Sequence, residues 1–580
     1  MRVNNFQWKI GGEAGYGIMS SGAMFSQLML RAGLYVFDYP EYPSLIRGGN
    51  NTYLVRASNE KIYSQLWPVN LLVALNQETV ELYKETLSSD AAIIYNTDNT
   101  KLDRSKFKPM IELCPIPLDT IAEKEGGNKI MRNTVAIGAS LALLDSDFTL
   151  LREVINSAFL SKKDGQKIAE TNIKAAQAGY DYIKKNFREV FNYKLEKQEN
   201  PGRMVMTGNE AVTLGAIRAG CKFFASYPMT PASSILHSMA QQARNYNMVV
   251  RHAEDEIAAI NMVCGAGYTG VRAMTATAGG GFSLMVEALG MAGMMELPIV
   301  IVEAMRPGPS TGMPTWTSQG DLKFVLSASQ DEFPRIIMAP GDVEECFYST
   351  QKAFNLAEKY QTPVLVITDK YLAESRKWVE KLDIKETRIQ RGEIVTFDQL
   401  VKIGDYKRYL DTKTGVSPRS LPGTPSGEYI ANSDEHNEKG FSDEGSEMRI
   451  KMMDKRWRKM ETAKNEIPEP VLIGEKKADF TLIGWGSTKG SILDAMKLLA
   501  EKGIKTNYLQ IFYINPFPSK KVSEIISKAR KTVLIENNQS AQLASLIKEK
   551  TGQDINYELL KYDGRPFYPE EIFNSIKEIK

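Results

Sequence analysis

Short apolar runs recur at 222–226, 271–278, 299–304, 336–338 and 364–368, each bounded by Gly or Pro and separated by segments of helical pattern. No other feature constrains this chain as much, because strands alternating with helices predict a parallel sheet covered by helices, with its functional edge where the strands end. The turns at 226–231, 278–281 and 305–315 should therefore converge. A second alternation fills 476–580, with strands at 480–484, 506–512 and 532–536 and helices at 491–500, 520–530 and 541–550. It predicts a smaller α/β unit. At 580 residues the chain exceeds a single core, so the fold class is α/β and multidomain.

The N-terminal region, 6 to about 190, opens with a short strand, the glycine-rich turn Gly11-Gly12-Glu13-Ala14-Gly15-Tyr16-Gly17 and a helix carrying Met19, Ala23, Met24, Leu28 and Leu30. Such a turn can cradle a phosphate, and Asp38 stands at about the distance at which dinucleotide folds place a ribose-binding acid. The spacing departs from G-x-G-x-x-G, so a nicotinamide site and a plain structural turn are both open. After a basic linker at 194–203 and the strand-helix region comes a polar tract, 405–470. A structureless stretch of that length inside a compact domain points to an interface arm or cover, and its last part reads as a charged helix. His436 sits there among Asp434, Glu435 and Glu438, where a solvated polar loop is expected rather than a metal site. Gly486-Ser487-Thr488-Lys489-Gly490 lacks the spacing of a phosphate loop.

Charge gives no reason to expect nucleic acid or an anionic membrane as partner, since 72 basic and 70 acidic residues leave a net +2. Cys114, Cys221, Cys264 and Cys346 lie far apart with no C-x-x-C, so no self-contained iron-sulfur or zinc site is expected. The start, MRVNNFQWKI, is too polar for a signal peptide, and the longest apolar run, 297–302, is far short of the ~20 residues that span a bilayer. A cytoplasmic protein is expected.

Tyr227-Pro228-Met229-Thr230-Pro231 reads as a strand end turning into a helix, with Thr230 at the cap, Pro231 at the first helical position and Ile235, Leu236 and Met239 on an apolar face. A hydroxyl and free N–H groups at a helix start can receive a carboxylate or a polarised carbonyl. An ordinary capped helix is the alternative.

Taken with Glu254-Asp255-Glu256-Ile257-Ala258-Ala259, Thr275-Ala276-Thr277-Ala278-Gly279-Gly280-Gly281 and Arg306 followed by Pro309-Ser310-Thr311-Gly312, this segment resembles the 2-oxoacid:ferredoxin oxidoreductases and their Y-P-x-T-P motif. The N-terminal GGEAGYG with Ile46-Arg47-Gly48-Gly49 looks like that family's γ domain, and SPRSLPGTP with Glu435-His436 and Lys455-Arg456 looks like its fused γ-α subunit. The resemblance implies a Rossmann-like γ domain at 1–195, a pyrimidine-binding thiamine diphosphate domain at 200–378, a linker and interface arm at 379–472, and a transketolase C-terminal-like domain at 473–580.

It also implies roles. Glu256 would exchange a proton with N1′ of thiamine diphosphate, with Tyr227, Pro228, Thr277 and Gly279 as further cofactor contacts. The Glu256 helix should carry Ile257, Ile260 and Cys264 inward, and burial should raise the Glu256 pKa against the helix-end effect, while Glu254 points elsewhere. Arg306 would bind the 2-oxoacid carboxylate, Thr230 and Thr315 the ketone, and Arg47, Gly48 and Gly49 would hold coenzyme A or close the site. There is no Gly-Asp-Gly with a following Asn and no cysteine cluster, so Mg²⁺ and [4Fe-4S] are expected on a β subunit that shares the thiamine site. Coenzyme A as co-substrate, ferredoxin as acceptor, an αβ or (αβ)2 assembly, and 2-oxoglutarate or a broad 2-oxoacid range including pyruvate complete the expectation. The competing readings are a transketolase-like or carboligating enzyme, a nicotinamide-dependent dehydrogenase built on GGEAGYG, and a noncatalytic assembly subunit.

Overall fold

The computed structural model describes every residue except 46–47, 188–190, 385–387 and 580. The chain forms two compact units, one from Met1–Met206, Ser375–Lys381 and Tyr568–Lys580, the other from Thr207–Glu374 and Leu382–Phe567. Among the described residues no helix is long and apolar enough to cross a membrane.

In the first unit an eight-stranded mixed sheet is centred on Asn5–Glu13, which pairs antiparallel with Asn50–Ser58 and parallel with Val69–Ala74. Gly11 and Gly12 belong to this strand, opposite Thr52 and Asn51, so the expected turn shortens to residues 14–17. The partner strand supplies hydrogen bonds that outweigh the flexibility of two glycines. Helix Ile18–Arg31 packs Phe25 on Trp8 with ring centroids 4.2 Å apart, and the Trp8 indole donates to Ser140 Oγ at 3.0 Å. Helices Arg132–Leu143 and Gly165–Asn186 touch backbone to backbone. A Cβ on Gly138 would stand 1.9 Å from the Ala176 carbonyl oxygen, and one on Gly179 2.0 Å from that of Val135.

Asp38 lies in strand Tyr35–Glu41, fully buried, and accepts from the Tyr53 hydroxyl at 2.8 Å. Burial pushes its carboxyl up to about 6. An acid enclosed by the sheet cannot reach a ribose, which removes the residue on which a nicotinamide site depended. Gly48 and Gly49 take the left-handed conformation, with φ of 78° and 81°, and Arg47 lies outside the described residues. Strand Arg376–Val379 enters this sheet between Tyr35–Glu41 and Met204–Thr207, and the final helix, Pro569–Glu578, belongs to the same unit.

The second unit holds a seven-stranded sheet in the order Val249–His252, Phe223–Ser226, Ala273–Thr277, Ile299–Met305, Val364–Asp369, Ile336–Met338, Tyr513–Asn515. All neighbours are parallel except the last pair. The central strands are buried along their whole length, as their apolar runs require. Tyr513–Asn515 comes from the C-terminal region, whose own five-stranded sheet is ordered Leu472–Gly474, Thr506–Gln510, Phe480–Gly484, Thr532–Glu536, Tyr557–Leu560. Ile337 shares a core with Ile511, Ile514 and Phe517. Lys489 of the GSTKG turn is bound to Asp342 at 2.7 Å and to Glu345, so it serves packing and not phosphate.

The tract 405–445 departs from its composition. Tyr406, Arg408, Tyr409, Ser417, Arg419, Ser420 and His436 are buried rather than solvated. The physical reason is pairing. Helix Ser446–Lys464 sends Lys455 to Glu296 at 2.5 Å and Lys459 to the same carboxyl, while Arg408 donates to the Glu296 carbonyl oxygen at 3.1 Å. Glu435 is gripped by Arg456 at 2.6 and 3.0 Å and by Arg449 at 2.8 Å. His436 Nδ1 lies 2.9 Å from the Asp434 carbonyl oxygen, with its ring 4.1 Å from that of Tyr409. Among the described residues no group of three or more His, Cys, Asp or Glu side chains is placed to hold a metal ion.

Candidate active site

The strands Phe223–Ser226, Ala273–Thr277 and Ile299–Met305 end on one edge, and the expected site residues lie in or just beyond the turns that follow them. Ser226 Oγ donates to the Ala276 carbonyl at 2.7 Å, which ties two of these ends together. Tyr227 follows, 39 % exposed, with its ring 6.1 Å from that of His252, and Pro228 is half-buried.

Thr230 is not a helix cap. The Thr230-Pro231 bond is cis, residues 230–232 form a turn, and the helix begins at Ser233 after Ala232, with no side-chain cap. Proline disfavours helical backbone in the residue before it, so the chain turns once more before the helix starts. What Thr230 offers its neighbour is a carbonyl, which accepts from Arg306 Nη1 at 2.8 Å. Arg306 is half-buried, which lowers its pKa, and it remains a cation.

Glu256 opens helix Glu256–Tyr268, capped by Asp255, whose Oδ1 accepts from the Ala258 N–H at 2.7 Å. The side chain is buried, its Oε1 meets no partner among the described residues, and burial raises its pKa above the usual carboxylate value, against the helix-end N–H. Ile260 and Cys264 point inward as expected, but Ile257 is 49 % exposed. Its position next to Glu256 puts it a hundred degrees around the helix, on the outer face. Glu254 is exposed.

Opposite Glu256 runs helix Gly279–Met294, whose first turn is glycine. A Cβ on Gly281 would stand 2.2 Å from Thr277 Oγ1 and 2.4 Å from Glu256 Oε1, and one on Gly279 would stand 2.3 Å from Asp321 Oδ2. Glycine here lets two carboxyl groups close on a helix end. In the loop after Arg306, Thr315 is buried with its Oγ1 unpartnered among the described residues. A buried polar atom left without a partner costs about 1–3 kcal/mol, so the free oxygens of Glu256 and Thr315 mark places that a polar ligand group would satisfy.

The structure thus joins Thr230 to Arg306, and Glu256 to Thr277 through Gly281. Gly48 and Gly49 lie in the other unit. Three acids near these strand ends escaped the sequence reading: the buried Glu303 and Asp369, and the half-buried Asp321. Glu303 alone carried a signal, as one charge inside the run IVIVEAM.

The chain is similar to known proteins along nearly its whole length. The family model for pyruvate ferredoxin/flavodoxin oxidoreductase matches residues 7–182, the thiamine diphosphate-binding model of the pyruvate flavodoxin/ferredoxin oxidoreductases matches 214–455, and the core domain II model of pyruvate:ferredoxin oxidoreductase matches 478–572. The 2-oxoacid:ferredoxin oxidoreductase subunit alpha of Sulfolobus sp is 36 % identical over 99 % of this chain and 97 % of its own. The 2-oxoglutarate synthase subunit KorA of Methanothermobacter marburgensis is 33 % identical over 64 % of this chain and 98 % of its own. Among solved structures, the 2-oxoglutarate:ferredoxin oxidoreductase of Magnetococcus marinus, with 2-oxoglutarate, coenzyme A and succinyl-CoA bound, superposes with a TM-score of 0.93 at 33 % identity over 99 % of both chains.

The fold, the relatives and the family models define an oxidoreductase chain with a thiamine diphosphate-binding region. It belongs to the 2-oxoacid:ferredoxin oxidoreductase family, whose members named above are subunits of larger complexes. The transketolase-like and nicotinamide-dependent readings do not fit these relatives.

Proposed function

We propose that this chain is the fused γ-α subunit of a 2-oxoacid:ferredoxin oxidoreductase. A 2-oxoacid and coenzyme A give the acyl-CoA, CO₂ and one proton, while two electrons pass singly to two oxidised ferredoxins. The observation that carries the reading is the buried carboxyl of Glu256, held against Gly281 with one oxygen free. Thiamine diphosphate, when bound, supplies the carbon nucleophile that attacks a 2-oxoacid.

Glu256 holds or releases a proton at Oε1, in surroundings that favour its neutral form. Thr277 and Gly279 shape the wall beside it, and Tyr227 and Pro228 supply further cofactor contacts. Arg306 presents a charged fork to the substrate carboxylate, steadied by the Thr230 carbonyl, and Thr315 offers its free hydroxyl to the ketone. Arg47, Gly48 and Gly49 serve coenzyme A or closure of the site. Residues 1–195 form the γ domain, 200–378 the pyrimidine domain, 379–472 the linker and arm, and 473–580 the C-terminal domain. A β subunit shares the thiamine site, carries Mg²⁺ and [4Fe-4S], and joins this chain as αβ or (αβ)2 in the cytoplasm. 2-Oxoglutarate is the favoured substrate, within a range that extends to pyruvate.

Coexpression with the β subunit should give coenzyme A-dependent viologen reduction with pyruvate, 2-oxobutyrate or 2-oxoglutarate. No reduction with any of the three refutes the assignment.

A further inference from the structure

Glu303 is placed where charge is least supported. It lies in Ile299–Met305, a strand buried at every position, opposite Thr277 on one side and Ile367 on the other. It is fully buried, and neither carboxyl oxygen meets a donor among the described residues. The charged groups that bear on it are acids: Asp321, and Asp369 at the end of Val364–Asp369. Arg306, three residues along, is turned to the Thr230 carbonyl, and Lys370 pairs with Glu374 at 3.5 Å. An ionised Glu303 would have no counter-charge and no donor. A proton on Glu303 resolves both defects, because the neutral carboxyl then donates to Asp321 and the two acids together carry one proton and one charge.

Asp321 meets the active site from behind. Its Oδ2 lies 2.3 Å from where a Cβ on Gly279 would stand, while Glu256 Oε1 lies 2.4 Å from the corresponding point on Gly281. One glycine helix end is therefore held between two carboxyl groups. A negative charge at that position is favoured by the partial positive charge of the helix N-terminus.

We propose that Glu303 and Asp321 are positioning residues of the active site: they share one proton behind the Gly279 helix, and the charge left on Asp321 fixes the glycine turn on which Glu256 rests. The inference rests on the thiamine-dependent reading above. Burial pushes Asp321 up to about 6 and Glu303 well above the usual carboxylate range, so the pair gains a second proton and loses its charge only on the acid side of neutrality.

The test uses the chain assembled with its β subunit. Glu303→Gln keeps a neutral donor towards Asp321 and should hold kcat within about threefold, whereas Glu303→Leu should lower kcat at least about tenfold with KM for the 2-oxoacid changed less than about twofold. Asp321→Asn should abolish an acidic limb of kcat near pH 6. Equal effects of Gln and Leu, or an acidic limb unmoved by Asp321→Asn, overturn the proposal. A second measurement needs no turnover. At about pH 8 the infrared spectrum of the wild-type protein should keep a protonated-carboxyl band that Glu303→Gln removes, and a wild type without that band overturns the shared proton. A wild-type complex that shows the band but turns over no 2-oxoacid refutes the functional reading alone. Positioning is then decided by thiamine diphosphate affinity: weaker binding by Glu303→Leu than by Glu303→Gln supports it, and equal binding overturns it.

Discussion

Glu256 and Gly281 are in contact: the Oε1 atom of one lies 2.4 Å from where the other would carry a Cβ. A methyl group at 281 also meets Thr277 Oγ1 at 2.2 Å, so Gly281→Ala must displace side chains, and the Glu256 carboxyl is the freer of the two. The expected outcome is loss of activity by about 10²-fold from misplacement alone. The overpacking penalty should be about 1–3 kcal/mol, which leaves the protein folded. Turnover of the assembled enzyme beside its thermal melt checks this, and full activity would show that Glu256 need not stand there.

Replacing the carboxyl itself separates chemistry from packing. Glu256→Gln should lower kcat by about 10²–10⁴-fold while the subunits still assemble. The folded state holds the Glu256 proton more tightly than the unfolded chain does, so the wild type loses stability as pH rises through the folded pKa. The amide has no proton to lose. Glu256→Gln should therefore match or exceed the wild type in denaturant resistance at neutral pH and show less of this decline.

Arg306 is expected to act through geometry as well as charge. Arg306→Lys keeps the cation but loses the second prong and the fixed bond to the Thr230 carbonyl at 2.8 Å. Charge-assisted hydrogen bonds contribute about 1.5–3 kcal/mol, so KM for the 2-oxoacid should rise by about 10- to 100-fold in Arg306→Ala, and by less in Arg306→Lys. Steady-state kinetics over a series of 2-oxoacids measures both, and an unchanged KM would remove Arg306 from substrate binding.

The buried cluster around Glu296 predicts two opposite mutational effects. Glu296→Gln strands Lys455, Lys459 and Arg408 without their counter-charge and should cost about 3–5 kcal/mol in urea unfolding. Lys459→Met removes one cation from a site shared by two lysines and should be neutral or stabilising. Burial holds Lys459 down to about 7, against the usual lysine value of 10.5. The folded state therefore binds this proton more weakly than the unfolded chain, and stability should rise as pH climbs from about 7 towards 10.5. Unfolding curves across that window should show the rise in wild type and its reduction in Lys459→Met.

The central strands were legible because a parallel sheet buried on both faces writes itself as apolar runs, as in Ile299–Met305 and Val364–Asp369. Glu256 and Arg306 were legible through the order of several motifs along the chain. Thr230 was misplaced because a Thr-Pro pair reads locally as a cap, while the turn it adopts is set by its surroundings. The tract 405–445 was misread for a different reason. Its charges look solvated in composition, but their partners stand far off in sequence, as Glu296 does from Arg408, and burial follows from pairing that no local window contains. The same distance hid Asp321, whose closeness to Gly279 depends on a loop returning across the sheet edge.

Strand Arg376–Val379 sits inside the first unit's sheet, next to Tyr35–Glu41, although some 170 residues of the second unit precede it. On the ribosome residues 1–206 therefore emerge without one strand of their sheet and without the helix Pro569–Glu578, which follows the whole second unit in sequence. The unit that begins first is completed last. Cutting the gene near residue 200 to obtain two separate polypeptides would leave the N-terminal product with Tyr35–Glu41 as a bare sheet edge, covered only when the other piece returns Arg376–Val379 and Met204–Thr207.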